Sequence, residues 1–465
     1  MFPTLLLTDI LIWLLVFGVL AYVRSVLKNP LARASWALVF QSRIASASLV
    51  VLLLALFITL LDSVHLRLNA EQQSRYASPI VSVLDVALGP LAYQREKSYS
   101  APLALRGLSK ETMEVDGKPV RDYPRLKYGG AHLQDESQRG QDLALRAYQG
   151  GLAGLLTWSF LLVALWAARR AWVGTGSANE VSVFTGSGAY LTAVWTLLAL
   201  CLMGGVLWKW SQAYHVLGTD KVGVDVLYIA LKGLRTAMLI GLLTTLLTLP
   251  VGIAMGLAAG YFRGWVDDVI QYIYTTLNSI PSVLLIAATV LMLQVALEAN
   301  PEAFASSAEK ADLRLFFLCA ILGLTSWTGL ARLLRGEVLK MREQDYVLAA
   351  RASGVSSFKI LFSHLLPNLM HLVLIAMVMD FSGLVLAEAV LSYVGVGVDP
   401  STYSYGTMIN AARLELSREP IVWWSLVAAF VFMLLLVLSA NLFADAVRDA
   451  FDPRARQLKQ SLVRV

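Results

Sequence analysis

Residues 345–368, DYVLAARASGVSSFKILFSHLLPN, stand between two long apolar runs and mix small residues, charges and a central Gly354. Residues 337–353, which lead into and through its first part, are good helix formers, and they predict a helix ended by Gly354 in the left-handed conformation that glycine reaches most cheaply. Ser356 or Ser357 then caps a second helix over 358–366 before Pro367 opens the next apolar run. The product is helix, tight turn, helix. Ala349, Ala350, Ala352 and Ser353 give it a small-residue surface that permits close approach to another backbone. With no catalytic group in it, such an element reads as a docking element; an ordinary amphipathic loop is the plainer alternative.

The surroundings are those of a membrane protein. The 465 residues are 57% apolar and 15% charged, and the mean hydropathy is +0.64. Nine apolar windows approach the roughly 20 residues that a helix needs to cross a bilayer. They fall near 2–23, 46–66, 150–169, 187–208, 228–258, 269–297, 315–335, 367–393 and 421–444. The first carries Thr8 and Asp9 where a signal peptide would be basic, so it reads as a retained span. The net charge of +6 comes largely from basic residues that border apolar runs, the pattern of cytoplasmic loops and not of nucleic-acid binding. Cys201 and Cys319 lie far apart inside apolar segments, which indicates neither a disulfide framework nor a zinc site.

Basic clusters set the orientation. Arg24, Lys28, Arg33 and Arg43 fill the first connection, Arg169 and Arg170 follow the third span, and Arg332, Arg335, Lys340, Arg342, Arg351 and Lys359 fill the seventh. All three clusters are cytoplasmic if the amino terminus is outside, and the tail with Arg448, Arg454, Arg456, Lys459 and Arg464 is then inside too. The division along the chain is two helices over 1–66, an extracytoplasmic loop or small domain over 67–149, a third helix and linker over 150–186, and a body over 187–465. Within 67–149, SKETMEVDGKPVRDYPRLKYGG is punctuated by Gly and Pro into short strand-like pieces. A small lid on the membrane part and a disordered loop are equally open readings.

Ala349-Ala350, Gly354 four residues later and HLLPN with Pro367 resemble the coupling loop of ABC importer permeases, although Leu348 stands where that family has Glu. Further stretches are similar to the dipeptide, oligopeptide and nickel branch. In 215–238, His215, Gly218, Asp220, Gly223, Asp225, Gly233 and Arg235 hold the family's places, with Val224 where Arg is frequent. GLAAGYFRGWVDDVI (256–270) keeps Gly260, Gly264 and Asp267. AEAVLSYVGVGVDPSTYSYGTMINAAR (387–413) keeps Glu388, Gly395, Gly397 and Pro400, and NLFADAVRDAFDPR (441–454) matches the family's carboxy-terminal end. The resemblance covers about 187–454 and leaves the first 180 residues unaccounted for.

It implies an all-α polytopic fold, the six-helix body of a type I ABC importer preceded by about three extra helices. It also implies alternating access in a bacterial inner membrane, with a second homologous permease, two ATPase subunits and an extracytoplasmic solute-binding protein as partners. ATP and Mg then belong to the ATPases, since no GxxxxGK[ST] occurs and GTGSANE (174–180) lacks the lysine. Catalytic and metal residues are expected to be none. Ala349, Ala350, Gly354 and Pro367 are the expected coupling residues. Asp220 and Asp225 can satisfy backbone donors or pair with Lys221 and Arg235, and with Gly223 they form the outer-loop motif. Pathway or gating candidates are Asp380, Glu388, Arg235 and Pro281, the last expected to kink a span. Asp380, mid-span, either contacts a cationic group of substrate or pairs with a neighbouring helix. Peptides are the leading cargo; nickel, antimicrobial peptides or another small solute fit the same class. A standalone channel or scaffold is the reading from a different class.

Overall fold

The computed structural model describes residues 2–4, 6–67, 80–115, 118–173, 187–299 and 306–451. The GTGSANE stretch and the basic residues Arg454, Arg456, Lys459 and Arg464 lie outside them. Among the described residues, nine helices are long and apolar enough to cross a membrane. The protein is all-α and polytopic, with two small antiparallel sheets. The chain divides into two compact units: Met1–Leu5, Val19–Thr236 and Tyr403–Leu442 form one, and Leu6–Gly18, Ala237–Thr402 and Phe443–Val465 the other.

The first unit opens with β1 (Phe2–Thr4), which pairs with β2 (His65–Arg67), which in turn pairs with β3 (Ile80–Ser82). The first span therefore starts later than expected: α1 is Leu7–Lys28, not 2–23, because residues 2–4 are spent on strand pairing. Helices α2 (Pro30–Gln41) and α3 (Arg43–Asp62) follow, and a short α4 (Val83–Leu88) is opened by a reciprocal capping box of Ser82 and Asp85. The strand-like reading of 109–130 holds, since β4 (Glu111–Val115) and β5 (Lys118–Asp122) pair antiparallel. Helices α5 (Arg139–Val173) and α6 (Ser187–Ser211) then run together. Their crossing is made by glycines: a Cβ on Gly150 would lie 2.5 Å from the Gly205 carbonyl oxygen. Small residues permit this backbone approach, which in lipid replaces the hydrophobic effect as the source of helix association.

The second unit contains most of α7 (Val226–Phe262), then α8 (Trp265–Ser279), α9 (Ser282–Ala299) and α10 (Ser307–Met341). After these come α11 (Asp345–Ala352) and α12 (Leu366–Val394). Helices α13 (Tyr405–Glu415) and α14 (Trp424–Phe451) complete the chain's described part, with α13 and α14 as far as Leu442 belonging to the first unit. One core of this unit gathers Ile12, Leu239, Ile240, Leu243, Leu318 and Leu384. A second holds Leu257, Leu334, Val338, Val347, Leu365 and Leu369. Gly252, Gly256 and Gly260, one turn apart on α7, seat that helix against Leu330, Ala331 and Val338 of α10, where added Cβ atoms would come within 2.8, 2.8 and 2.6 Å.

The window at 269–297 is not one helix. It breaks at Ile280 and Pro281 into α8 and α9, so Pro281 precedes a helix instead of kinking one. Proline lacks the donor an interior position needs and is tolerated at a helix start. It is Pro250 that lies inside a membrane-length helix, α7.

Candidate functional site

The 345–368 stretch is laid out differently from the sequence expectation at both ends. The helix expected over 337–353 is broken. Helix α10 ends at Met341, Arg342 Nη1 donates to the Tyr261 carbonyl oxygen at 2.7 Å, and the chain turns before α11 begins. That turn lets Val347, 1% exposed, enter the second core as the single buried residue of α11. Packing thus overrides a run of good helix formers. The approach is braced by Arg335, which grips Asp267 through two hydrogen bonds of 2.6 and 2.7 Å. These bonds hold the Asp267 carboxyl below the usual carboxylate range.

Gly354 has φ +75°, as expected of its place after the helix. Val355 N–H donates to Ala350 O and Gly354 N–H to Arg351 O, both at 3.1 Å. This pair of bonds is the Schellman arrangement, and it satisfies carbonyls that the helix end leaves open. Asp345 in the first turn and Arg351 in the last complement the helix dipole. Beyond the turn there is no separate helix over 358–366. Ser356 stands at the cap position without a side-chain cap bond, and Ser357–Lys359 leads through a π-helical stretch, Ile360–Leu365, directly into α12. Leu366 N–H reaches back to Leu361 O, a five-residue step. That register lets the helix pass Pro367, which has no N–H to offer. What remains is an exposed surface: Ala349 and Ala352 are exposed, as are Tyr346, Leu348, and the stacked rings of Phe358 and Phe362.

The loop before α7 is the opposite kind of structure. Asp220 Oδ1 accepts from Val222 N–H (3.0 Å) and Val224 N–H (2.8 Å), and Asp225 Oδ1 accepts from Leu227 N–H at 2.8 Å to cap α7. The expected backbone role of both carboxylates is present, but Asp225 takes His215, not Arg235, as its charged partner (Nδ1 to Oδ2, 2.9 Å). The reason is register: Arg235 lies farther along α7, while His215 closes the same loop. Glu96 approaches the other ring nitrogen of His215 at 3.4 Å and accepts from Lys127 and Tyr128 N–H at 2.9 and 2.8 Å. Burial alone would lower the His215 pKa, yet its bonds to two carboxylates raise it to about 9. Glu96, despite a burial contribution that would raise it, is lowered to about 2 by His215 and the backbone donors. The pair is an ion pair at neutral pH.

The 94–130 segment is thereby keyed to this loop. Glu96 N–H donates to Gly223 O (2.9 Å), Leu103 N–H to His215 O (2.9 Å) and Gly130 N–H to Ala213 O (2.7 Å). A Cβ on Gly223 (φ +74°) would overlap the Glu96 carbonyl oxygen, so glycine is required there for room as well as for conformation. The described residues of 94–130, called the lid below, pack on this loop. A second lock sits beside it. Lys232 of α7 contacts Asp62 of α3 at 3.0 Å and Asp85 of α4 at 2.8 Å, and Tyr228 Oη donates to Asp85 at 2.7 Å. Burial would raise the Asp85 pKa, but the Lys232 charge and hydrogen bond lower it.

The remaining candidates are Glu388, Asp380, Pro281 and Arg235. Glu388 is buried on α12 and accepts from Ser392 Oγ at 2.6 Å. Asp380 lies half-buried two turns earlier, Pro281 heads α9, and Arg235, half-buried, belongs to the other compact unit. Lys232 with Asp62 and Asp85, the Glu96 clasp and the glycine stripe on α7 were not anticipated. Lys232 inside an apolar run and the four-residue spacing of Gly252, Gly256 and Gly260 were the available signals; nothing around Glu96 distinguishes it locally.

Residues 252–457 match the model of a family described as binding-protein-dependent transport system inner membrane component. Over 248 residues the chain is 32% identical to the oligopeptide transport system permease protein OppC of Mycobacterium bovis, covering 53% of this chain and 79% of that protein. The chain belongs to the binding-protein-dependent transport permeases. It is 33% identical over 243 residues to the dipeptide transport system permease protein DppC of Lactococcus lactis, covering 52% of this chain and 65% of that protein. The OppC of Bacillus subtilis is 31% identical over 243 residues, 52% of this chain and 73% of its own length. The family match begins at residue 252, so the lid and the helices before it lie outside the matched residues.

Proposed function

We propose that the chain is one permease subunit of an ATP-driven peptide importer in a bacterial inner membrane. With a second, homologous permease it forms a pathway for di- or oligopeptides delivered by a solute-binding protein, and two ATPase subunits that hold ATP and Mg drive it. The similarity to proteins named as dipeptide and oligopeptide permeases supports the cargo class. The basic clusters support an orientation with the amino terminus and the lid outside and the α11 turn in the cytoplasm.

The observation that carries the reading is α11 itself. It is anchored by the buried Val347 with Ala350 packed partly against the same core, closed by a Schellman turn, and exposed elsewhere. A short stiff helix with a small-residue face suits seating in a groove of a partner and passing that partner's movement to α10 and α12, which flank it in the chain. Ala349, Ala350 and Gly354 form the seat, and Pro367 marks where the motion enters α12.

The test is purification from native membranes followed by reconstitution. Co-purification of two ATPases and a second permease, with ATP-dependent uptake of a labelled tripeptide, is the expected result. A homo-oligomer without an ATPase would overturn the reading in favour of a channel or scaffold.

A further inference from the structure

We infer that Asp380 lines the translocation pathway and receives the cationic end of the cargo, the ammonium group of a peptide amino terminus. The inference rests on the peptide reading above and adds to it the residue that meets the substrate.

Asp380 is the fifteenth of the twenty-nine residues of α12 and lies inside the membrane-length helix Ser357–Val394. Its carboxylate has no hydrogen-bond or ion-pair partner among the described residues. Other acids on membrane-length helices are provided for: Glu388 takes Ser392, Asp62 takes Lys232, and Asp312 takes the backbone and side chain of Thr8. A carboxylate at membrane depth costs several kcal/mol unless water or a cation reaches it. Among the described residues, the unit to which α12 belongs supplies no such cation.

The helix surface beside Asp380 shows where the missing group comes from. Phe381, Leu384 and Val385 are buried in the unit, whereas Met379, Gly383 and Leu386 are exposed. A Cβ on Gly383, three residues on and therefore on the same face, would meet nothing within 4 Å. The carboxylate is thus flanked by open space. Lipid chains filling that space would leave the carboxyl without a partner in either protonation state, which is why we read this face as part of a water-filled route. An amino-terminal ammonium is the cation that every unblocked peptide carries whatever its side chains. A single carboxylate next to an adaptable methionine is suited to such a cargo, since it fixes one end and leaves the sequence free.

The experiment uses the assembled transporter in proteoliposomes. In a Gly383→Cys transporter, a cationic methanethiosulfonate should react about tenfold faster than an anionic one of similar size, because the neighbouring carboxylate concentrates cations. Adding Asp380→Asn should bring the ratio to about one. In uptake, Asp380→Asn should raise KM for a free tripeptide about tenfold, with Asp380→Glu restoring it, while uptake of the N-acetylated tripeptide stays unchanged. A thiol that does not react, because lipid or a permanent ion partner from another subunit covers it, overturns the inference. So does a charge ratio that ignores Asp380. If the wild type takes up no peptide, the peptide reading fails and the ammonium assignment with it, and the thiol chemistry still decides whether Asp380 faces the pathway.

Discussion

The α11 turn and the loop before α7 both carry family motifs built on glycines with positive φ, and they end up in opposite states. Around α11, Val347 is buried, Ala350 packs partly against the same core, and the other side chains of the helix are exposed. In the loop before α7, His215, Thr219 and Asp225 are all buried; Asp225 is met by His215, and the lid supplies Glu96, Ser100 and Leu103 to bond His215 and Thr219. The difference teaches what each surface is for. A turn left bare after folding is available to another chain, whereas a loop whose polar groups are met within the same chain has already received its partner. In this protein that partner is the lid, which lies outside the family match.

The comparison breaks most visibly at Lys232. Replacing it with alanine leaves Asp62 and Asp85 buried without their cation, and should cost about 3–5 kcal/mol. Thermal unfolding of the purified protein in detergent checks this, and an unchanged midpoint would dissolve the second lock.

A smaller loss is expected from Glu96→Gln, about 1–3 kcal/mol, since a charged acceptor of His215 and two or more backbone N–H groups is weakened. The pH dependence follows in sign. The raised His215 contributes fully below its ordinary value of 6.5 and loses that contribution as pH rises through about 9. The lowered Glu96 contributes fully above 4.5 and fades as pH falls through about 2. Glu96→Gln should therefore move the alkaline loss of lid protection, read by limited proteolysis, downward from about 9.

At the α11 turn, where we propose that an ATPase docks, the effects are expected on partners and not on the fold. Gly354→Val puts a branched residue at φ +75°, straining the turn by about 1–2 kcal/mol. Membrane insertion should be normal while ATPase retention and ATP-driven uptake drop. Smallest of all, Leu348→Glu restores the family's acid on an exposed position. It should change ATPase affinity by no more than about twofold, the scale of an ordinary surface substitution. A large gain would mean that charge, and not helix shape, makes the contact.

Local chemistry was legible in the sequence where it depends on near neighbours. Gly354 as a left-handed cap, the strand-like pieces within 109–130 and the backbone-capping roles of Asp220 and Asp225 all follow from residues within a few positions. What depends on distant partners was not. Nothing near Asp225 says that its counter-charge is His215, or that a glutamate 119 residues before His215 completes the pair. The break after Met341 and the π-helical passage to Pro367 arise from burying Val347, Ile360 and Leu365, a tertiary demand that local propensity does not contain. Pro281 misled for a related reason: an apolar window shows that a segment suits lipid but does not show that it is one helix.

The central claim is that the bare α11 turn is where an ATPase drives this chain. The most direct measurement is a cysteine cross-link from Ala349→Cys in the assembled transporter, with Val120→Cys in the lid as the reference site. The account predicts a cross-link to an ATPase subunit from the first position, altered by ATP binding, and none from the second. An Ala349→Cys thiol that reaches no ATPase in a transporter that still consumes ATP to move peptide would contradict it.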